Sequence, residues 1–263
     1  MLTQVPHMMN TIVSLEDLDC EKYGQVICYP KYSPEAFNRR VNYMMELDIK
    51  ALHFRGDKTV REIPVLGKGC TSVVVLAITK DYKKAALKIC RTDSDESRIS
   101  HEARMLQIAN SVEVGPRLLG CRNGLLLMEY IEGKIFSEWI MGLSGDKYAH
   151  SSLQNALRDL LEQCWRLDVI GLDHGELSRA DKHIIVDVKG RMHIVDFESA
   201  SDKRRTANVT SISQYLFIKS SVSGLLAQTL GQIEVNKLVS TLRTYKMNHS
   251  RENFILILDI LGV

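Results

Sequence analysis

The chain has 263 residues, 45% of them hydrophobic and 25% charged, with 34 basic against 32 acidic side chains for a formal net charge of +2. Such a composition excludes a largely disordered chain, and the near balance of charge excludes a dominant basic surface for nucleic acid or an anionic membrane. The local clusters at Arg39-Arg40 and Lys203-Arg204-Arg205 read as solvated faces.

In chain order, SLEDLD (Ser14 to Asp19) predicts a short helix and QVICYP a short strand ended by Pro30. A stronger helix follows in SPEAFNRRVNYMMELDI, with Ser33 as N-cap, Pro34 in the first turn, and Phe37, Val41, Met44 and Met45 as its packed face. As the one strong helix ahead of the strands, it speaks against a winged-helix module. From Ala51 the periodicity shortens to that of antiparallel strands around a Gly56-Asp57 turn. SVVVLAITKDYKKAALKIC supplies two more strands around Lys80 to Lys84, and SDESRISHEARMLQIAN supplies a helix. PRLLGC and GLLLMEYIEG predict a hairpin turned at Asn123-Gly124. The expectation is a five-stranded antiparallel sheet with one inserted helix.

Beyond Gly133 the pattern turns helical: IFSEWIMGL, then the long SSLQNALRDLLEQCWRLDVIG stopped by Gly171. Two short strands, HIIVD and MHIVDF, flank Lys189-Gly190, and helices return to the end of the chain. The fold class is α+β. The expected division is 1–59 as an N-terminal extension packing on the small lobe, 60–133 as the strand-rich lobe and 134–263 as a compact helical lobe. The six cysteines are scattered without a C-x-x-C pair or a leader-like segment ahead of them, so they are expected as reduced thiols in a cytoplasmic protein. The apolar stretches, such as FILILDILGV with Asp259 inside it, fall short of the roughly 20 residues of a membrane span.

Four signals carry chemistry. GKGCTSVV is a turn in which Gly67, Lys68, Gly69 and Ser72 let backbone N–H groups approach phosphate oxygens. Lys88 stands on an apolar strand 19 residues after Gly69 and calls for an anion. Glu102 shares a helical face with Met105, Leu106 and Ala109, which turns its carboxylate inward toward a cation, whereas Glu96 reads as a first-turn helper to the helix dipole. Lastly, LDHGELSRADKHIIV holds His174, Gly175 and Glu176 in a polar loop, and MHIVDFESA ends an apolar strand on Asp196, a costly place for a carboxylate unless a cation meets it. His174 reads as a hydrogen-bonded scaffold, not as a proton carrier.

Taken in order, these residues resemble the protein kinase signature set, and more closely the compact RIO-type kinases and the archaeal serine/threonine protein kinases whose catalytic loop opens His-Gly-Asp. The likeness spans about residues 60 to 215 and extends to EVGPRLLGC and LLLMEYIEG. It implies a bilobal kinase-like fold, with a five-stranded antiparallel N-lobe and a short, mainly helical C-lobe, binding ATP and Mg²⁺. By the same likeness Met128, Glu129 and Tyr130 form the nucleotide hinge, Lys88 meets the phosphates with Glu102 behind it, and Asp196 holds the metal.

The chain also departs from that pattern. Glu176 stands in place of the catalytic Asp, Ser72 in place of a third loop glycine, and Glu198 in place of the Gly after Asp-Phe. Counting back 13 residues from Asp196 reaches His183 at the second metal position, whereas counting forward five from Glu176 reaches Asp181. Asp181 is preferred as an oxygen donor for Mg²⁺. The implied activity is transfer of the ATP γ-phosphate to a hydroxyl of a protein or small molecule, with Lys88 and Glu176 as its catalytic groups. The alternatives are a catalytically weak regulatory pseudokinase and a small-molecule kinase. Neither membrane nor nucleic acid is an expected partner.

Overall fold

A computed structural model describes residues 10–143, 149–219 and 221–263. The protein is α+β, and the chain divides into two compact units. The first takes in residues up to Arg104 together with Arg117–Tyr130, and the second takes in Met105–Pro116 together with Ile131–Val263.

The first unit is organised by an antiparallel sheet. Its N-terminal elements are β1 (Thr11–Ser14), α1 (Cys20–Ile27), α2 (Pro34–Glu46) and β2 (Ile49–Phe54). They lead into β3 (Lys58–Val60), β4 (Ile63–Val65), β5 (Gly67–Lys68), β6 (Ser72–Thr79) and β7 (Lys84–Cys90). Then come α3 (Ser97–Asn110), which runs on into the second unit, β8 (Leu118–Arg122) and β9 (Leu125–Glu129). The sheet has seven strands in the order β1-β2-β6-β7-β9-β8, with β5 also paired to β6, so the expected five-stranded sheet is too small. The extra strands come from the N-terminal segment. β2 buries five of its six side chains between β1 and β6, through pairs such as Leu52 with Val13 and with Ala77.

Two local expectations in this segment are corrected. SLEDLD is no helix: Ser14 ends β1, and its hydroxyl accepts from the Asp17 N–H and donates to the Asp17 carboxylate, closing a turn that buries Leu15 and Leu18. The first half of the predicted strand QVICYP, Gln25 to Ile27, falls in α1. Asp19 caps that helix by accepting from Glu21 N at 2.8 Å, and Tyr23, Val26 and Ile27 are its buried face, so two helices precede the strands of the main sheet's centre. In α2, Ser33 caps through the Ala36 N–H as expected, but the packed face is Phe37, Arg40, Val41 and Met44, and Met45 is exposed. Arg40 is the other half of a cluster read as solvated. It is buried and donates from Nη1 to the Ile27 carbonyl at the end of α1, at 2.5 Å. The Gly56 turn is real, with φ +124° and a hypothetical Cβ 2.3 Å from the Val65 carbonyl, which only glycine tolerates. It does not join paired strands, because β3 pairs with β4 in a separate ribbon.

The second unit is mainly helical around a small antiparallel sheet. It contains β10 (Gly133–Ile135), α4 (Phe136–Gly142), α5 (Ala149–Val169), β11 (Ile184–Asp187) and β12 (Met192–Ile194), with β11 in the middle. It closes with α6 (Asn208–Gln214), α7 (Ser221–Leu230), α8 (Val235–Met247) and α9 (Arg251–Leu261). A stripe from Leu153 through Leu157, Leu160, Leu161 and Cys164 buries one face of α5, and Gly171 just beyond it has the positive φ of a helix stop. No helix among the described residues is long and apolar enough to cross a membrane.

Candidate functional site

In the first unit, Lys88 and Glu102 meet. Lys88 lies in the middle of β7, opposite Val74 on one side and Leu126 on the other, where alternation fixes the face its side chain must take. Glu102 belongs to the buried stripe of α3 together with Ile99, Met105, Leu106 and Ala109. Lys88 Nζ is 2.7 Å from Glu102 Oε2, with the two side chains 6% and 2% exposed. Isolated, either charge would be very costly at that depth, so each makes the other tolerable. Glu96 does not serve the start of α3 as expected. That role falls to Asp95, which accepts from Ser97 N at 2.8 Å, while Glu96 stands 4.0 Å from Arg40.

The glycine turn is a tight β5–β6 hairpin, closed by Gly69 N donating to the Ser72 carbonyl at 2.8 Å. Neither Gly67 nor Gly69 has a positive φ, and a Cβ on either would make only ordinary contact, so the fold alone does not demand glycine here. Lys68 lies 4.9 Å over the Tyr29 ring, and Ser72 is buried in β6 opposite Cys90. At the end of β9, Met128 packs on the cluster of Cys90, Ile99, Ala103 and Leu126. Glu129 is tied to Arg117 twice, through its own N–H to the Arg117 carbonyl at 2.8 Å and through its carboxylate, which accepts from Arg117 N at 3.2 Å. Tyr130 follows, half-buried.

In the second unit, the His174-Gly175-Glu176 loop leads into a short 3₁₀ segment, Leu177–His183, and then β11. His174 is fully buried. Its Nε2 donates to the Val195 carbonyl at 3.1 Å, its Nδ1 accepts from the Glu176 N–H, and its ring stands edge-on to Phe197. Burial, reinforced by the neighbouring His183, lowers its pKa to about 4, which leaves a neutral scaffold. The Glu176 carboxylate accepts from the Ser199 hydroxyl at 3.0 Å. Gly175 has φ +89°, and a Cβ there would approach Arg204 Nη2 to 2.5 Å and the Ser199 carbonyl to 2.7 Å.

Asp196 follows β12 with the left-handed φ of +71°. His183 Nδ1 lies 3.5 Å from Asp196 Oδ2, and the imidazole is only 2% exposed. Burial pulls the His183 pKa down, against the pull of Asp196. Asp196 and Glu198 present carboxylate oxygens within 4.8 Å of each other. Asp181, the preferred second ligand, is exposed and accepts the Tyr215 hydroxyl at 3.4 Å. Of the two candidates, His183 is the one found against Asp196. His193 is engaged elsewhere, 3.1 Å from Asp187.

Two supports of this loop were not singled out. Arg204 is exposed, as expected of its cluster, and still its Nε donates to Asp173 Oδ2 at 2.6 Å and its Nη2 to the Ser199 carbonyl at 3.0 Å. Asp168, 3% exposed at the end of α5, accepts from Asn208 N, Asn208 Nδ2, Val209 N and the Tyr245 hydroxyl at 2.8–3.1 Å. Asn208 in turn accepts from the His174 N–H at 2.9 Å. The available signal was a carboxylate four residues after Cys164 on the apolar stripe of α5.

No family model matches the chain. It is similar to an uncharacterized protein of Methanocaldococcus jannaschii, 26% identical over 103 residues that make up 39% of this chain and 83% of that one.

Proposed function

We propose that the chain is an ATP-dependent phosphotransferase of the serine/threonine protein kinase type, with a bilobal kinase-like fold, that moves the γ-phosphate of ATP to a hydroxyl. The observation that carries this reading is the buried Lys88–Glu102 pair, presented by the third-from-last strand of the first unit's sheet and the helix that follows it. An ammonium fixed by a carboxylate is positioned to neutralise phosphate oxygens, and phosphoryl transfer asks a protein chiefly for positioning and charge neutralisation. Asp196, with a Glu198 carboxylate oxygen within 4.8 Å of it and His183 Nδ1 3.5 Å away, would hold the divalent ion, Mg²⁺ in the resembled family, which would draw charge from the phosphates when bound. The distance between His183 and Asp196 favours His183 over Asp181 as the second ligand. Glu176 would orient the acceptor hydroxyl and take its proton, reaching one methylene farther than the Asp of the resembled loop.

A regulatory nucleotide-binding role is the second reading, and the Ser199–Glu176 hydrogen bond favours it, because it engages one oxygen of the carboxylate that would serve as base. Incubating the protein with γ-labelled ATP and a divalent cation, with generic protein acceptors, separates the two. Transfer or hydrolysis that is lost in Lys88→Met and Asp196→Ala supports the enzyme. Stabilisation by ATP without variant-sensitive turnover supports the regulatory module, and the absence of any nucleotide effect rejects both.

A further inference from the structure

We infer that the hydroxyl this site serves first is the chain's own Ser199, which takes the γ-phosphate of ATP in cis and makes residue 199 a self-modification site. The inference rests on the phosphotransferase reading above and deepens it by naming the acceptor.

The observation that carries it is a nucleophile already seated on its base. Ser199 Oγ donates to Glu176 Oε1 at 3.0 Å. That lies inside the reach of roughly 2.6–3.2 Å that a general base needs toward the hydroxyl it deprotonates. Ser199 is exposed and Glu176 half-buried, so the hydroxyl is open to an incoming phosphoryl group while its proton is directed at the carboxylate.

The main chain, more than the two side chains, fixes this contact. Asp173 and Ser201 form an antiparallel bridge, with N–H to carbonyl bonds of 3.0 Å and 2.8 Å, that ties the segment after Asp196 to the His174-Gly175-Glu176 loop. Just upstream, Ala200 N donates to the Phe197 carbonyl at 3.1 Å, and Arg204 Nη2 holds the Ser199 carbonyl at 3.0 Å. Folding has therefore already met the ordering cost of bringing this acceptor to the base, an advantage that an external hydroxyl lacks. Ser201 is the contrast. Its oxygen accepts from the Lys203 and Arg204 N–H groups at 3.2 Å each, which makes it a turn residue.

The step balances on this chain and ATP alone. A bond forms from Ser199 Oγ to the γ-phosphorus as the bond from that phosphorus to the oxygen bridging it to the β-phosphorus breaks, the hydroxyl proton passes to Glu176 Oε1, and ADP leaves. The new phosphate stands beside Arg204, whose side chain is 48% exposed and supplies a guanidinium for it. It also sets like charge against Glu176, which closes that base to later acceptors and makes the modification self-limiting.

The test incubates the whole phosphatase-treated chain with γ-labelled ATP and Mg²⁺, without added acceptor, and locates the label by fragmentation mass spectrometry. The expected result is a single phosphate on Ser199, formed with a rate constant unchanged by dilution of the protein, lost in Ser199→Ala and about a hundredfold slower in Glu176→Gln. Label at another residue, no label, a rate constant that climbs with protein concentration, or an unchanged rate in Glu176→Gln would each overturn the self-acceptor. Mapping and the dilution series on the unaltered protein decide the matter should a variant fail to fold. ATP hydrolysis and transfer to a generic protein acceptor are scored separately in the same preparation. Turnover there with Ser199 unlabelled removes the self-acceptor and leaves the phosphotransferase, whereas no turnover together with no label removes both.

Discussion

Lys88 Nζ and Glu102 Oε2 lie 2.7 Å apart across the gap from strand to helix, sealed from water on both sides. Removing either partner strands the other charge at a depth where hydration cannot replace it. Lys88→Ala and Glu102→Ala should therefore each lower stability by about 3–5 kcal/mol, while Lys88→Met combined with Glu102→Leu should cost less than either single change. Urea denaturation of the four proteins checks this. A double variant as weak as the worse single would mean that the pair's charge is not what holds the site.

His174 makes folding stability depend on pH. Its pKa falls to about 4 in the folded chain against 6.5 when exposed, so between those values the unfolded chain binds the extra proton. Stability is fully present above pH 6.5 and declines as pH falls toward 4, by about 3 kcal/mol from this residue. Denaturation midpoints of the metal-free protein across that window should flatten in His174→Gln.

At Gly175 the backbone is held at φ +89° against Arg204 and the Ser199 carbonyl. Gly175→Ala should destabilise by about 1–3 kcal/mol and displace the neighbouring Glu176 loop. A melting temperature unchanged from the parent would show that the loop can relax at no cost.

Asp168 gathers donors from the start of α6 and from Tyr245 on α8. Burial, helped by the Asp168 charge, pushes the Tyr245 pKa far above the ordinary phenol range, so its hydroxyl is a permanent donor. Tyr245→Phe should cost about 1.5–3 kcal/mol. Amide exchange should meanwhile speed up at Asn208 and Val209 more than at residues of the first unit.

Local punctuation made much of this architecture readable in advance. The β6–β7 hairpin, α3 and the Asn123-Gly124 hairpin are each announced by alternation or turn chemistry within about ten residues. Lys88 and Glu102 were legible for a related reason, as charges set inside apolar stripes. By contrast α1 was misread because a four-residue apolar run suits strand and helix alike, although the Asp19 cap ahead of it was visible. The enlarged sheet was hidden because the pairing of Thr11 with Phe54, across forty-odd residues, leaves no local trace. Arg40 looks like surface charge because its partner, the Ile27 carbonyl, is named only by the folded chain, and the same holds for the Asp173 bond of the exposed Arg204.

The position of β2 between β1 and β6 has a practical outcome for shortened forms of the protein. A chain beginning at residue 60 would strip the cover from one side of the eight-residue, largely apolar β6, with β5 shielding only its first turn's worth. Bare N–H and C=O groups along such an edge template pairing with another copy, so the shortened chain should self-associate. The opening segment thus acts as a guard against intermolecular sheet growth.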